Sequence, residues 1–151
     1  MTLRLLSTRI FLVWLMACLL SFTTQPPGNI LQDVLRYTNS FRKSRGLSAL
    51  VMRDDLNRIA QQHSEDMAKG RIGFGHGDFG KREAAVQHII KGSSRYAENV
   101  AYGAPSGKEV VNEWKNSPGH RRNLLGSYRY IGIGVATDRN GQLYYTQLFV
   151  D

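Results

Sequence analysis

Residues 131–136 read IGIGVA, and this stretch decides the fold class. Branched apolar side chains at 131, 133 and 135 alternate with glycine and alanine, a period of two that is typical of a β-strand. One face of the strand is branched and the other is nearly bare, so we expect another element to pack very closely against the bare face. An Asn-Gly pair at 140–141 then predicts a tight hairpin turn.

The segments around this hairpin complete the predicted domain. Residues 143–150 are apolar on both faces, which predicts a central return strand. Upstream, apolar residues recur at a spacing of three to four, which predicts helices. The predicted helices run from an N-cap at Asn29 to Gly46, from about Asp54 to Gly70, over about 81–91, from a capping box at 106–109, and from Ser117-Pro118. We therefore expect an α+β domain with helices packed on a small, mostly antiparallel sheet.

Residues 1–25 differ from the rest of the chain and predict export. Arg4 and Arg9 precede an apolar run from 10 to 22, and a polar exit follows at 23–27. This order is the layout of a secretory signal, and the run is shorter than the ~20 residues of a membrane-spanning helix. The protein is therefore expected to be secreted, periplasmic or associated with the cell envelope.

The mode of anchoring stays open between three alternatives. The first is a cleaved signal peptide, and the second is an uncleaved N-terminal anchor that contacts the membrane through residues 10–22. The third is a lipoprotein, because the residues that end at Cys18 resemble a bacterial lipobox. In the plainest interpretation, Cys18 is one more apolar residue of the signal.

Charge and cysteine content exclude several function classes. The 151-residue chain has a net charge of +8, and the part after residue 25 keeps 18 of the 20 basic residues and all 12 acids, a net charge of +6. A single cysteine excludes intrachain disulfides and cysteine-based zinc sites. The basic residues are spread along the chain, which argues against nucleic acid as a partner and fits a surface that faces an anionic envelope.

Two of the four histidines are candidates for chemistry. His76 and His120 each adjoin glycine, which lets backbone and ligand approach closely. The positive end of the helix that begins at Pro118 disfavours a charged His120, and a neutral imidazole suits a metal ligand, a general base or a simple packing role. His63 and His88 lie within predicted helices and are interpreted as ordinary helix residues.

The candidate acids are Glu98 and Glu113. Glu98 leads into an apolar stretch, so a partly buried carboxylate with a histidine partner is expected. Glu113 lies one helical turn before Ser117, and a solvated helix acid is the simpler interpretation. Ser117 is interpreted as an N-cap, because no nucleophile elbow surrounds it. By spacing alone, none of these residues matches a known metal motif.

Ordered motifs bring a resemblance to a known family. They are Asn39-Ser40-Phe41-Arg42 with Gly46-Leu47, the helix 56–64, His76, the segment 98–101, the segment 114–125 with its Ser117-Pro118-Gly119-His120, the segment 131–135 and the segment 145–149. The chain resembles the CAP superfamily, also called SCP-like, which includes cysteine-rich secretory proteins, antigen-5 allergens and plant pathogenesis-related proteins. The resemblance covers about residues 30–151, and the 114–125 motif is similar to the bacterial branch.

The resemblance implies an α-β-α sandwich, a CAP domain over residues 29–151 and a cleft lined by two histidines and two glutamates. His76, Glu98 and His120 match three members of that set. The family's second glutamate position is Ser117 here, and Glu113 is the nearest substitute, one turn earlier. In some members the cleft binds a divalent metal, so the resemblance implies zinc or magnesium held by His76 and His120.

Two functions of different class follow from the resemblance. The first is an exported module that binds a lipid, a cell-envelope component or a protein. The second is a metal-assisted hydrolase, such as a peptidase, in which bound water is the nucleophile and Glu98 the base, with His120 as a further catalytic candidate. The module is favoured, because the second glutamate is missing and a fold alone does not establish chemistry.

Overall fold

The computed structural model describes residues 27–151, and the predicted signal or anchor segment, residues 1–25, lies outside this range. In chain order the elements are α1 (Pro27–Lys43), β1 (Val51–Met52), α2 (Asp54–Ala68), α3 (Phe79–Ile89), β2 (Tyr96–Tyr102), α4 (Gly107–Asn116), α5 (Pro118–Leu124), β3 (Tyr130–Thr137) and β4 (Leu143–Val150). Across residues 27–151, no helix combines the length and the apolar character that a membrane crossing requires.

The strands form one sheet in the order β1-β3-β4-β2. β3 pairs antiparallel with β4, β4 pairs antiparallel with β2, and only the short β1 pairs parallel, with β3. The prediction of a mostly antiparallel sheet with 143–150 as an inner strand is therefore confirmed. β2 is an edge strand, yet five of its seven residues are buried, because other elements pack around this edge.

Each face of the sheet carries its own apolar core, which gives the α-β-α sandwich. On one face α1, α4 and α5 pack onto the sheet; the core there includes Val34, Phe41, Val110, Val111, Trp114, Leu124, Ile131, Ile133, Tyr145 and Phe149. On the other face lie α2 and α3; the core there comprises Leu56, Ala60, Val86, Leu148 and Val150. Side chains alternate along each strand, so neighbouring residues enter opposite cores.

The bare face of β3 is where α2 packs. A Cβ atom on Gly132 would lie 2.6 Å from the backbone of Leu56, and one on Gly134 would lie 2.2 Å from the carbonyl carbon of Ala60. The predicted close approach is thus confirmed. Side chains of α2 also accept hydrogen bonds from the β3 backbone, since Asn57 and Gln61 bond the N–H groups of residues 133 and 135 at 2.8 and 3.0 Å.

Several predicted boundaries are wrong. The first helix begins at Pro27, so Asn29 lies inside it and is not its N-cap. The third helix spans 79–89, not 81–91, and strands β1 and β2 were not predicted. The hairpin turn occupies 138–142, because the Asp138 carboxylate accepts hydrogen bonds from the backbone of Asn140 and Gln142. Of the predicted capping box, the Ser106 N-cap is confirmed, since its hydroxyl accepts from the backbone of Glu109.

Candidate functional site

A polar cleft of about 310 Å³ opens at the edge strand β2. Its lining residues are His76, Glu98, Ser117, Gly119, His120, Arg122 and Asn123. Glu98 comes from β2, His76 from the glycine-rich loop between α2 and α3, and His120 from α5. The structure therefore brings together the three residues that the sequence matched to the family's cleft.

The Glu98 side chain is buried and is held by Arg82 of α3. Arg82 Nε donates to Oε2 at 2.7 Å and Nη2 donates to Oε1 at 2.8 Å, a bidentate pair with the carboxylate fully buried. A third bond runs from Arg82 Nη1 to the Gly77 carbonyl at 2.5 Å. A guanidinium is the side chain best shaped for such a fork, so the pair fixes the orientation of Glu98 and ties down the glycine-rich loop.

His76 completes the hydrogen bonds of the same carboxylate from the solvent side. Its Nδ1 lies 2.9 Å from Glu98 Oε1, and the side chain is 51% exposed. Because a carboxylate oxygen accepts, Nδ1 donates the hydrogen of this bond. His76 is thus the half-exposed wall of the cleft, backed by a buried ion pair.

His63 was interpreted as an ordinary helix residue; it does lie in α2, and the structure adds contacts to the glycine-rich loop and to the surroundings of Glu98. It is buried on α2, its Nε2 donates to the Gly75 carbonyl at 3.0 Å and lies 3.9 Å from Glu98 Oε1. Burial, together with the positive charge of Arg82, lowers its pKa below the ordinary value. In the sequence nothing distinguishes His63, because its neighbours in space lie on other elements.

His120 stands opposite His76 on α5. Burial is the main cause that lowers its pKa, and the neighbouring His76 lowers it further, so the ring is neutral at neutral pH. Its backbone carbonyl accepts from the Asn99 side chain at 3.3 Å. The ring also lies 6.5 Å from that of the buried Trp114, centre to centre. The expected neutral imidazole therefore agrees with its surroundings.

Buried amides behind the cleft position its far wall; they lie within the motifs of the resemblance, but no role was predicted for them. Gln147 donates to the Thr38 hydroxyl at 2.9 Å, and Asn99 donates to the Gln147 side chain at 3.4 Å. Asn123 donates to the Asn99 side chain at 2.9 Å and to the Glu98 backbone at 3.1 Å. Fully satisfied buried networks of this kind favour one arrangement of the core. Here the network joins α1, β2, β4 and α5.

The remaining predicted residues lie apart or have another environment. Glu113 is exposed on α4 and does not line the cleft, so the structure does not bring it to His76, Glu98 and His120. Ser117 precedes α5 at the cap position, but its hydroxyl makes no capping hydrogen bond. The N-cap interpretation therefore does not explain the serine, which lines the cleft instead.

The donor set does not fit a divalent cation. Both oxygens of Glu98 accept from the guanidinium of Arg82, whose charge lies where a metal would have to approach. Within residues 27–151 no group of three or more His, Cys, Asp or Glu side chains is placed to hold a metal ion. His76 and His120 alone, with a carboxylate already engaged, fall short of the three protein ligands that zinc sites use.

Comparison with known proteins identifies the family. The model of the cysteine-rich secretory protein family, CAP, matches residues 35–149. The chain belongs to the CAP family. The match covers α2 to β4 and most of α1, so the resemblance drawn from the ordered motifs is confirmed.

Several of the similar proteins are bacterial. The chain is 34% identical over 122 residues to the uncharacterized membrane protein YlbC and 31% identical over 134 residues to YkwD, both of Bacillus subtilis (strain 168). These alignments cover 79% and 85% of this chain but 34% and 51% of those relatives. An extracellular SCP-domain protein of Bacillus anthracis str. Ames is 28% identical, with a TM-score of 0.70 over 82% of this chain and 40% of that one.

Proposed function

We propose that this CAP protein is an exported binding module whose cleft holds an anionic group of a cell-envelope component. One observation carries the proposal, namely the bidentate Arg82–Glu98 pair. It neutralises the carboxylate that the family resemblance assigned to metal binding. Exposed Arg122 then supplies the net charge of the lining, with the Ser117 hydroxyl and two imidazoles as further polar contacts.

The chemistry of these groups favours a phosphate or a carboxylate. An arginine binds either anion through a planar fork of donors, and a serine hydroxyl adds one donor. The net positive charge of the chain favours encounter with anionic surfaces of the envelope.

Two observations support export. Residues 1–25 have the basic start, apolar middle and polar exit of a secretory signal. The structurally similar SCP-domain protein of Bacillus anthracis is described as extracellular. A lipid or a protein that carries the same anionic group remains a ligand of the same chemical class.

The metal-assisted hydrolase receives less support from the geometry. A base that activates water needs a free lone pair directed at the reacting site. Glu98 already accepts three hydrogen bonds, two from Arg82 and one from His76. The carboxylate is therefore better suited to hold the loop and the imidazole in place than to take up a proton.

Calorimetric titration with inorganic phosphate tests the proposal on the full chain in detergent. We expect saturable binding at pH 7.5 that weakens about tenfold in Arg122→Gln, in line with a charge-assisted hydrogen bond. The matched control is Arg121→Gln, which removes the same charge one residue away. Arg121 is exposed, lies 5.8 Å from the Phe41 ring centre and does not line the cleft.

Sedimentation with vesicles distinguishes a lipid headgroup from a soluble anion. Vesicles that contain phosphatidylglycerol are compared with purely zwitterionic vesicles. Every variant keeps residues 1–25, so the contribution of this segment to vesicle binding is the same in all of them. Loss of binding in Arg122→Gln but not in Arg121→Gln supports recognition in the cleft. Equal losses in both variants, or no phosphate binding at all, would refute the proposal.

A further inference from the structure

The Arg82–Glu98 pair lies between two cavities of the domain. Glu98 and His76 line the cleft, whereas Arg82 and His63 line a second cavity of about 410 Å³ between α2 and α3. The carboxylate is completely buried and the Arg82 side chain is 10% exposed. The ion pair therefore forms part of the wall between the cleft and that cavity.

Three side chains of metal-ligating types, Glu98, His76 and His63, lie close together at this wall, although within residues 27–151 no such group is placed to hold a metal ion as it stands. Glu98 Oε1 lies 2.9 Å from Nδ1 of His76 and 3.9 Å from Nε2 of His63. Two imidazoles and one carboxylate are a sufficient protein ligand set for zinc. Two sets of bonds keep this group from being such a site as it stands: the guanidinium donates to both oxygens of the carboxylate, and His63 Nε2 donates to the Gly75 carbonyl.

We infer that Arg82 is a specificity-determining residue of the cleft, because it occupies Glu98 and keeps divalent cations from binding there. The inference rests on the proposed function, since it explains why the same cleft selects anions. A cation that approached Glu98 would have to displace a buried, bidentate guanidinium and would be repelled by its charge. Both effects are strong where water is largely excluded.

A purely structural role for Arg82 predicts a different outcome. Its bonds to Glu98 and to the Gly77 carbonyl also fasten the loop 70–78 to α3. If that were its whole contribution, removal of Arg82 would loosen the loop and lower stability without creating any affinity for metal. Gain of a zinc site therefore separates the two roles.

Titration with zinc chloride tests the inference. The full chain is purified in detergent without a histidine tag, and heat of binding and melting temperature are measured for wild type and Arg82→Met. We expect the variant to bind zinc about 100-fold more tightly than wild type. Its melting temperature should be higher with zinc than without it. His76→Ala in the Arg82→Met background should abolish the gain, whereas His88→Ala, an exposed histidine on α3, should leave it intact.

Arg82→Gln is a second, more conservative variant in case Arg82→Met does not fold, because a glutamine amide can donate a hydrogen bond to the Glu98 carboxylate. It should show a smaller zinc gain that also requires His76. Should both variants be unfolded without zinc, recovery of the native circular dichroism on addition of zinc supports the inference, and no recovery overturns it. Equal zinc affinity in wild type and in both variants also overturns it. Phosphate binding by wild type is measured separately, so its failure would refute the proposed function without altering the zinc result.

Discussion

Helix α2 contacts the rest of the domain in two chemically different ways. Along the sheet its backbone lies against Gly132 and Gly134 of β3, with room for no side chain between them. Towards α3, His63 reaches a buried group formed by Arg82 and Glu98, with the loop carbonyl of Gly75. The first contact is a seam of close backbone packing, and the second is a polar cluster held by hydrogen bonds and charge.

The two contacts differ in how far apart their parts lie in the sequence. The seam can be predicted from a single strand, because glycines that alternate with branched residues indicate that another element packs closely against the strand. The cluster takes His63 from α2, Arg82 from α3, Glu98 from β2 and His76 from a loop. His76 and Glu98 were candidates from their local context, whereas nothing in the local context pointed to Arg82 or His63. Close packing thus leaves a local pattern, whereas a polar cluster need not.

Breaking the seam should have the largest effect. Gly134→Val places a Cβ 2.2 Å from the Ala60 backbone, so α2 must move away from the sheet. We expect a loss of more than about 4 kcal/mol in the free energy of unfolding, measured by urea denaturation. Gly80→Ala is the control, because a Cβ there meets open space; it should change stability by about 1 kcal/mol or less. Similar losses in both variants would contradict the seam.

Breaking the polar cluster should cost less than breaking the seam. Arg82→Met leaves the buried Glu98 carboxylate without its guanidinium, and we expect a loss of about 3–5 kcal/mol. The double variant Arg82→Met/Glu98→Gln removes both charges and should lose clearly less than the single variant. The same denaturation experiment measures both. If single and double variants were equally unstable, the cost would come from lost packing and not from the unpaired charge.

Titration of His63 gives a smaller, pH-dependent effect. Its pKa is lowered in the folded protein by burial and by Arg82, with His76 acting in the same direction and Glu98 opposing. The unfolded chain therefore binds this proton more readily, and stability falls as the pH drops from about 7 to about 5. His63→Gln should flatten the stability profile in this window, whereas His88→Gln, which removes an exposed histidine, should not. An unchanged profile in His63→Gln would contradict the assignment.

The smallest effect is expected at Glu113, which belongs to neither contact. Glu113→Gln changes an exposed α4 side chain outside the cleft, so stability should change by less than about 0.5 kcal/mol. Phosphate affinity, measured by calorimetry, should equal that of wild type. A loss comparable to that of Arg122→Gln would mean that Glu113 reaches the site in solution.

The fold was largely predictable because its signals are local. The period of two at 131–136, the glycine face and the return strand at 143–150 all lie within single elements, and each was found where predicted. The strand β2 was missed, because Glu98 and Asn99 interrupt its apolar run. These are the residues that carry the cleft, and both are buried with partners from other elements.

The site was predictable in part. Motif resemblance identified His76, Glu98 and His120, and the structure brings them into one cleft. It did not identify Arg82 or His63, which decide the charge and the hydrogen bonds of Glu98. Asn99, Asn123 and Gln147 lie within motifs of the resemblance, but their role was not predicted, since the role of a buried amide is recognised only from the partners that satisfy it.

The amino-acid sequence by itself determined the α+β class, the close packing of a helix on β3, the three cleft residues and the expectation of export. Only the tertiary structure decided what the cleft contains. Arg82 lies 16 residues before Glu98 along the chain, and their bond forms because α3 packs beside the edge strand. Periodicity and caps are properties of neighbouring residues, whereas the charge state and ligand preference of a buried carboxylate depend on groups that folding brings to it.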